Sequence, residues 1–188
     1  MFRCFVGEHI MKKIFLLVFA VVSLLLPNAS AGAWGSPYPG TLYDGNYVLV
    51  SGRMGGGQYA DMSSRAVELY NPPYYQIAIN VVSIEFSEDY YRAHGTYVGG
   101  PYKVHSGPGV MRFRYDYNTK AIWVLRSGGG WKYWDIHQAH TTADGYPFIP
   151  YSAEAAFVAA YNMRFFDKTV GHGGYRVISE DFYEVLGV

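Results

Sequence analysis

Hydrophobic and polar positions divide the chain into a leading apolar run, a series of short alternating segments and one late stretch of helical period. The leading run extends from Ile14 to Leu26 behind Lys12 and Lys13. Tyr47 to Ser51, "YVLVS", is a short apolar strand that "GRMGGGQ" interrupts and "QYADMSS" follows as a second brief strand. Beyond Pro72-Pro73 comes the strongest strand pattern. Tyr75, Ile77, Ile79 and Val81 alternate with Gln76, Ala78 and Asn80, after which Val82, Ile84 and Phe86 become the apolar set. Side chains alternate between the two faces of a strand, so this change of phase predicts either a bulge near Val81–Val82 or burial on both faces there.

"SEDYYRAHG" reads as a turn or short helix, and "TYVGGPYKVHSGPG" as a weak strand broken by glycine and proline. The next run is clearer. Met111, Phe113, Tyr115 and Tyr117 alternate with Arg112, Arg114 and Asp116, giving one aromatic and one charged face. Turns at Asn118-Thr119 and Gly128–Gly130 separate this strand from Ala121–Leu125 and Trp131–Trp134, an antiparallel meander. Residues 152–166 predict a helix, with Ser152 as N-cap and Glu154 complementing the positive helix end. Its apolar stripe is Phe157, Ala160, Tyr161 and Phe165, interrupted by Arg164. The fold class expected is α+β, a small antiparallel meander sheet packed by one C-terminal helix.

The leader changes the picture of the N-terminus. Paired lysines, an apolar run, Pro27 and Ala29-Ser30-Ala31 are the successive parts of a signal peptide, expected over residues 1–31. Residues 1–10 read as an extension upstream of a start at Met11. Residues 32–46, rich in glycine and proline without periodicity, are expected to form a flexible arm before a single domain over 47–188. Processing also bears on the cysteine count. The sole cysteine, Cys4, falls in the leader, so the processed chain carries no disulfide, thiol nucleophile or thiolate site. Processing would leave 12 basic and 14 acidic residues, without a basic stripe to follow a phosphate backbone, and nucleic acid is not an expected partner. All 19 tyrosines remain. Their rings suit pleated sheets, and their hydroxyls suit hydrated binding surfaces.

The candidate chemistry is sparse. Asp135, His137, His140 and Asp144 bring metal-ligand residue types into one loop, but without the helical spacing of a zinc motif. A small extracytoplasmic hydrolase or metal-dependent protein built on that loop is the alternative to a binding domain. No nucleophile elbow or phosphate loop occurs, and Glu68, Glu85 and Asp61 are the carboxylates a glycosidase would draw on. Asp61 with Ser63 and Ser64 reads more simply as a turn device. Catalytic residues and cofactors are therefore not expected. Of the aromatic candidates, Tyr74 and Trp134 are the rings expected to meet a ligand, with Tyr75, Trp131 and Tyr133 turned to the core.

Tyr59-Ala60-Asp61 followed by Ser63-Ser64, and the segment Arg114 to Val124, resemble the surface-adhesin protein E-like domains across roughly residues 47–166. That resemblance implies a small sheet covered by a helix, and binding at a cell surface or envelope rather than catalysis. The family's cysteines are absent, residues 94–109 look inserted, and no binding residue carries over. The expected function is thus an exported, non-enzymatic binding or adhesion domain whose partner is a surface protein, a peptide or a glycan. No transmembrane segment is expected in the processed chain. Sequencing the N-terminus of the exported protein should give Gly32; a product retaining Lys12 to Leu26 would overturn the assignment.

Overall fold

The computed structural model describes residues 36–136 and 148–188. Within them seven antiparallel strands form one sheet in chain order. They are β1 (Thr41–Leu42), β2 (Tyr47–Arg53), β3 (Gly56–Asn71), β4 (Tyr74–Phe86), β5 (Tyr102–Asp116), β6 (Ala121–Leu125) and β7 (Trp131–Trp134). Three α-helices accompany the sheet among the described residues: α1 (Glu88–His94), α2 (Phe148–Tyr161) and α3 (Glu180–Leu186). This is the expected α+β meander; the one long helix is joined by two short ones, at segments where the sequence left a turn or short helix, and a strand or short helix, open. None of the helices is long and apolar enough to cross a membrane.

Two tight turns set the registers of the longest strands. Met54 and Gly55, at φ 49° and 76°, occupy the two central positions between paired Arg53 and Gly56, the conformation whose twist matches a two-residue hairpin. Pro72-Pro73, a cis pair, fills the same place between Asn71 and Tyr74. The glycine-rich stretch is therefore a hairpin turn flanked by continuing strands. Gly52 also admits a close neighbour, since a Cβ there would lie 2.5 Å from the Tyr38 ring.

The phase change along β4 becomes a division between two cores. Ile77, Ile79 and Val81 belong to a first cluster with Val48, Val50, Phe113, Tyr115 and Ile122 under α2 and α3. Val82, Ile84 and Phe86 belong to a second, with Leu49, Tyr59, Tyr38 and Tyr97, on the opposite face. Both sequence-based alternatives are present in part. β4 is buried on both faces at Val81–Val82, and a register shift lies between Val81 and Ser83, but the extra residues are on β5.

The second cluster includes residues expected to lie in a flexible arm. Tyr38 and Leu42 are buried, Tyr38 stacks on Tyr97 at 4.8 Å, and Tyr59 donates to the Pro39 carbonyl at 2.9 Å. Tyr97 N–H donates to the Pro37 carbonyl at 2.8 Å. Proline and glycine removed the periodicity of this segment, while its isolated apolar side chains supply the packing. Residues 32–35 and the leader lie outside the described residues. Helix α1, by contrast, forms where "SEDYYRAHG" suggested one: the Ser87 hydroxyl accepts from Tyr90 N–H, and Gly95 closes it at φ 70°.

Helix α2 runs from Phe148 to Tyr161, four residues ahead of its expected start and five short of its expected end. Pro150 sits within its first turn, where the missing N–H is no loss. Ser152 is not an N-cap; its hydroxyl donates back to the Phe148 carbonyl at 2.7 Å. Asn162, left-handed at φ 53°, ends the helix while its N–H donates to the Val158 carbonyl. Every residue from Pro150 to Val158 is buried, so the helix is interior rather than amphipathic. Tyr115 on β5 donates to the Ala153 carbonyl at 2.9 Å, and Tyr151 meets Phe182 of α3 at 4.7 Å.

Glu154 does not serve the helix dipole. It is fully buried and accepts from the backbone N–H groups of Phe165 at 2.7 Å and Phe166 at 3.0 Å. Those bonds return the chain after α2 onto the helix and seat both phenylalanines in the core. Burial pushes the Glu154 carboxyl up from its ordinary 4.5 to about 7, against the opposing pull of the two N–H donors, Tyr183 and Lys120.

Phe157 is 1% exposed and meets Tyr115, Tyr75 and Phe165 at ring distances of 5.2, 5.4 and 5.1 Å. Phe157→Ala is expected to cost about 3–5 kcal/mol, checked by the urea midpoint; a shift no larger than a surface mutation gives would remove Phe157 from the core. Glu154 adds a pH dependence. Its native carboxyl holds a proton more tightly than the unfolded chain does, so its contribution is most favourable below pH 4.5 and is lost as pH rises through about 7. Wild-type stability should fall by about 3 kcal/mol over that window from this group. Glu154→Gln should flatten this fall in urea titrations at pH 5 and pH 8, and an unchanged fall would assign it elsewhere.

Candidate ligand-binding face

The first cluster lies on one face of β4, and the second covers only the distal half of the other. The remaining half of that second face, from Tyr74 to Asn80 on β4 and across β5, β6 and β7, carries no covering helix among the described residues. Antiparallel register decides which side chains occupy it. Gln76 is opposite Arg114, Arg114 opposite Trp123, and Trp123 opposite Tyr133. Residues directly opposite in a ladder share a face, so these four form one row across four strands. Arg112 opposite Ala78 and Trp131 opposite Leu125 flank the row.

These side chains are tied together. Arg112 Nε donates to Glu68 Oε1 at 2.8 Å, Gln76 Nε2 donates to Glu68 Oε2, and Arg114 Nε donates to Gln76 Oε1 at 2.9 Å. Glu68 reaches the row because it is an extra residue on β3: Val67 and Leu69 face consecutive residues of β4, leaving Glu68 in a bulge. Partial burial raises the Glu68 carboxyl, but hydrogen bonds from Gln76 and Arg112 outweigh it and hold the group below its ordinary range. At the other end, the Arg114 guanidinium lies 4.0 Å over the Trp131 ring, a cation–π stack that spans the intervening strand β6. Trp123 and Tyr133 meet at 5.6 Å with their rings inclined by 54°.

The expected binding rings divide between the faces. Tyr74 is 52% exposed, whereas Tyr75 packs against Tyr161 and Phe157 of α2 at 5.3 and 5.4 Å. Trp134 takes the other side from Tyr74: it is opposite buried Ile122 and contacts Phe166 at 6.3 Å. Trp131 and Tyr133, expected in the core, occupy the open face instead. Alternation placed these two opposite Trp134, and the register with Ile122 fixes which set is inward. Tyr90 and Tyr91 are packing residues, stacked on His94 and Tyr97 at 4.0 and 4.6 Å.

The carboxylates are engaged separately. Asp61 accepts from Ser63 N–H at 3.0 Å and Asn46 Nδ2 at 3.1 Å, while the Ser64 hydroxyl accepts from Asn80 N–H at 2.8 Å. These bonds stabilise a wide bulge in β3, the turn device expected of "YADMSS". Glu85 contacts Lys103 and His105 on the surface. Asp135 follows β7, half-buried; His137, His140 and Asp144 lie outside the described residues, as does any convergence among them.

Sequence reasoning missed Gln76, Arg112, Arg114 and Trp123 as site residues. Their signal was the charged face of Met111–Tyr117 and the alternation of Trp123 with Ile122 and Val124. No family model, curated protein or solved structure matches this chain.

Tyr74→Ala should leave the melting temperature within the range of surface substitutions, whereas Tyr75→Ala, at a partly buried ring, should lower the urea stability by about 2 kcal/mol. Equal effects in the paired melts would mean that the two rings do not differ in their role in packing.

Proposed function

We propose that the chain is an exported, non-enzymatic binding domain that meets its partner at an envelope or cell surface through the open half of its sheet. The observation carrying this reading is the row of Gln76, Arg114, Trp123 and Tyr133, held on four paired strands and extended by the Arg114–Trp131 stack. Aromatic rings and arginine are the side chains that contribute most to binding when already ordered, because they bring large area and directed charge with little further loss of freedom. The leader and the resemblance to surface-adhesin protein E-like domains support the same reading.

Envelope preparations should retain purified protein in a sedimentation assay. The double variant Arg114→Gln/Trp131→Ala should lower that retention at least tenfold with its fold intact, since truncating two central contacts removes about 1.4 kcal/mol or more. Undiminished retention of a folded double variant would place binding elsewhere on the molecule.

A further inference from the structure

We infer that the open sheet face binds an acidic saccharide, its carboxylate on Arg114 and its ring against Trp123 and Tyr133; this rests on the binding-domain reading. The charge pattern leads there. Arg112 is neutralised by Glu68 at 2.8 Å, and Asp116 turns its carboxylate to the backbone N–H groups of Asn118 and Thr119 at 3.0 and 3.4 Å. Arg114 bonds instead to a neutral amide and lies on a ring, with no carboxylate paired to it among the described residues. A guanidinium fixed in this way presents a planar set of donors that match a carboxylate, and little freedom remains to be lost on binding. Arg126 beside Trp131 and Tyr133 lines a shallow recess at the same edge, adding positive potential.

The shape selects a sugar over a peptide. Peptides bind sheets chiefly by adding a strand to a free edge or by seating an apolar anchor in a pocket. The groups assembled here lie on a sheet face, where carboxylate, amide and guanidinium groups on β3, β4 and β5 adjoin tilted rings on β6 and β7. Neighbouring strands are about 4.8 Å apart, so at the Arg114–Trp123 boundary a charged donor and a ring lie within the width of one sugar. The apolar face of a sugar ring can lie on an aromatic side chain, while its hydroxyls meet Gln76 and Glu68.

Tryptophan emission of the full chain, titrated with tri-galacturonate, a neutral trisaccharide and hexaglutamate, tests this directly. Tri-galacturonate should alter the emission and bind at least tenfold more tightly than either comparator, more weakly as salt rises. Arg114→Gln should weaken it at least tenfold and Arg114→Lys should recover only part of the loss, because ammonium lacks the planar fork. Tyr133→Ala, at a half-exposed ring outside both cores, should also weaken it without changing the melting temperature. Equal binding of the neutral sugar, or hexaglutamate binding as tightly and indifferent to Tyr133→Ala, would overturn the saccharide assignment. Should tri-galacturonate fail while envelope retention still depends on Arg114, the saccharide falls and the binding-domain reading stands. Should Arg114→Gln change neither assay, both fall.

Discussion

The alternation of side chains along β4 is the constraint on which the rest of the structure depends. A strand of 13 residues extends roughly 40 Å at about 3.3 Å per residue. Helix α2, with 14 residues, is roughly 21 Å long at about 1.5 Å per residue. One helix of that length laid along the strand covers about half of it. The chain resolves the mismatch by moving the apolar set from odd to even positions at Val81–Val82. The first half of β4 then packs under α2, and the second half packs on the other face against residues 36–42 and the segment around Tyr97. A half-face opposite the α2 core, uncovered among the described residues, follows from that choice.

Glu154 shows how the larger core is closed. A buried carboxylate is costly unless hydrogen bonds replace its lost water. Here two consecutive backbone N–H groups do so and fix the chain's reversal after Asn162. The same contacts account for the abrupt end of α2, because Phe165 and Phe166 enter the core from a returning segment rather than from another helical turn. Lys120, 3.4 Å over the Tyr117 ring and 5.3 Å from the centre of Phe165, places a compensating cation at the margin of this region.

Much of this architecture was legible in the sequence because period-2 alternation survives wherever one face is buried. β4 and the β5–β7 meander were recognisable for that reason, β2 as a short apolar run buried on both faces, and the phase change in β4 already implied either a bulge or two covered faces. What was not legible has physical causes. Residues 36–42 pack through isolated rings in a proline-bounded segment, which leaves no period to detect. The end of α2 depends on the left-handed Asn162 and on a carboxylate reaching 11 residues along the chain. In "WKYW" the more apolar set, Trp131 and Tyr133, suggested the inward side, and Lys132 with Trp134 the outward one, the reverse of the observed arrangement. The pairing of Trp134 with Ile122 sets the inward side.

The open face also has an internal physical logic. Exposed tryptophan on a sheet invites nonspecific association, and the Arg114 guanidinium reduces that exposure by lying over Trp131 while keeping charge in water. The guanidinium need not leave the ring to meet a ligand, because Gln76 takes only its Nε and, among the described residues, the outer donors are left available. A ligand that takes up the arginine need not disturb the core, since Gln76, Arg114 and Trp123 point away from Ile77, Phe113 and Ile122, their buried neighbours in sequence. One backbone layer thus separates recognition from stability. Substitution on the open side can retune charge and ring area while the opposite side continues to specify the fold.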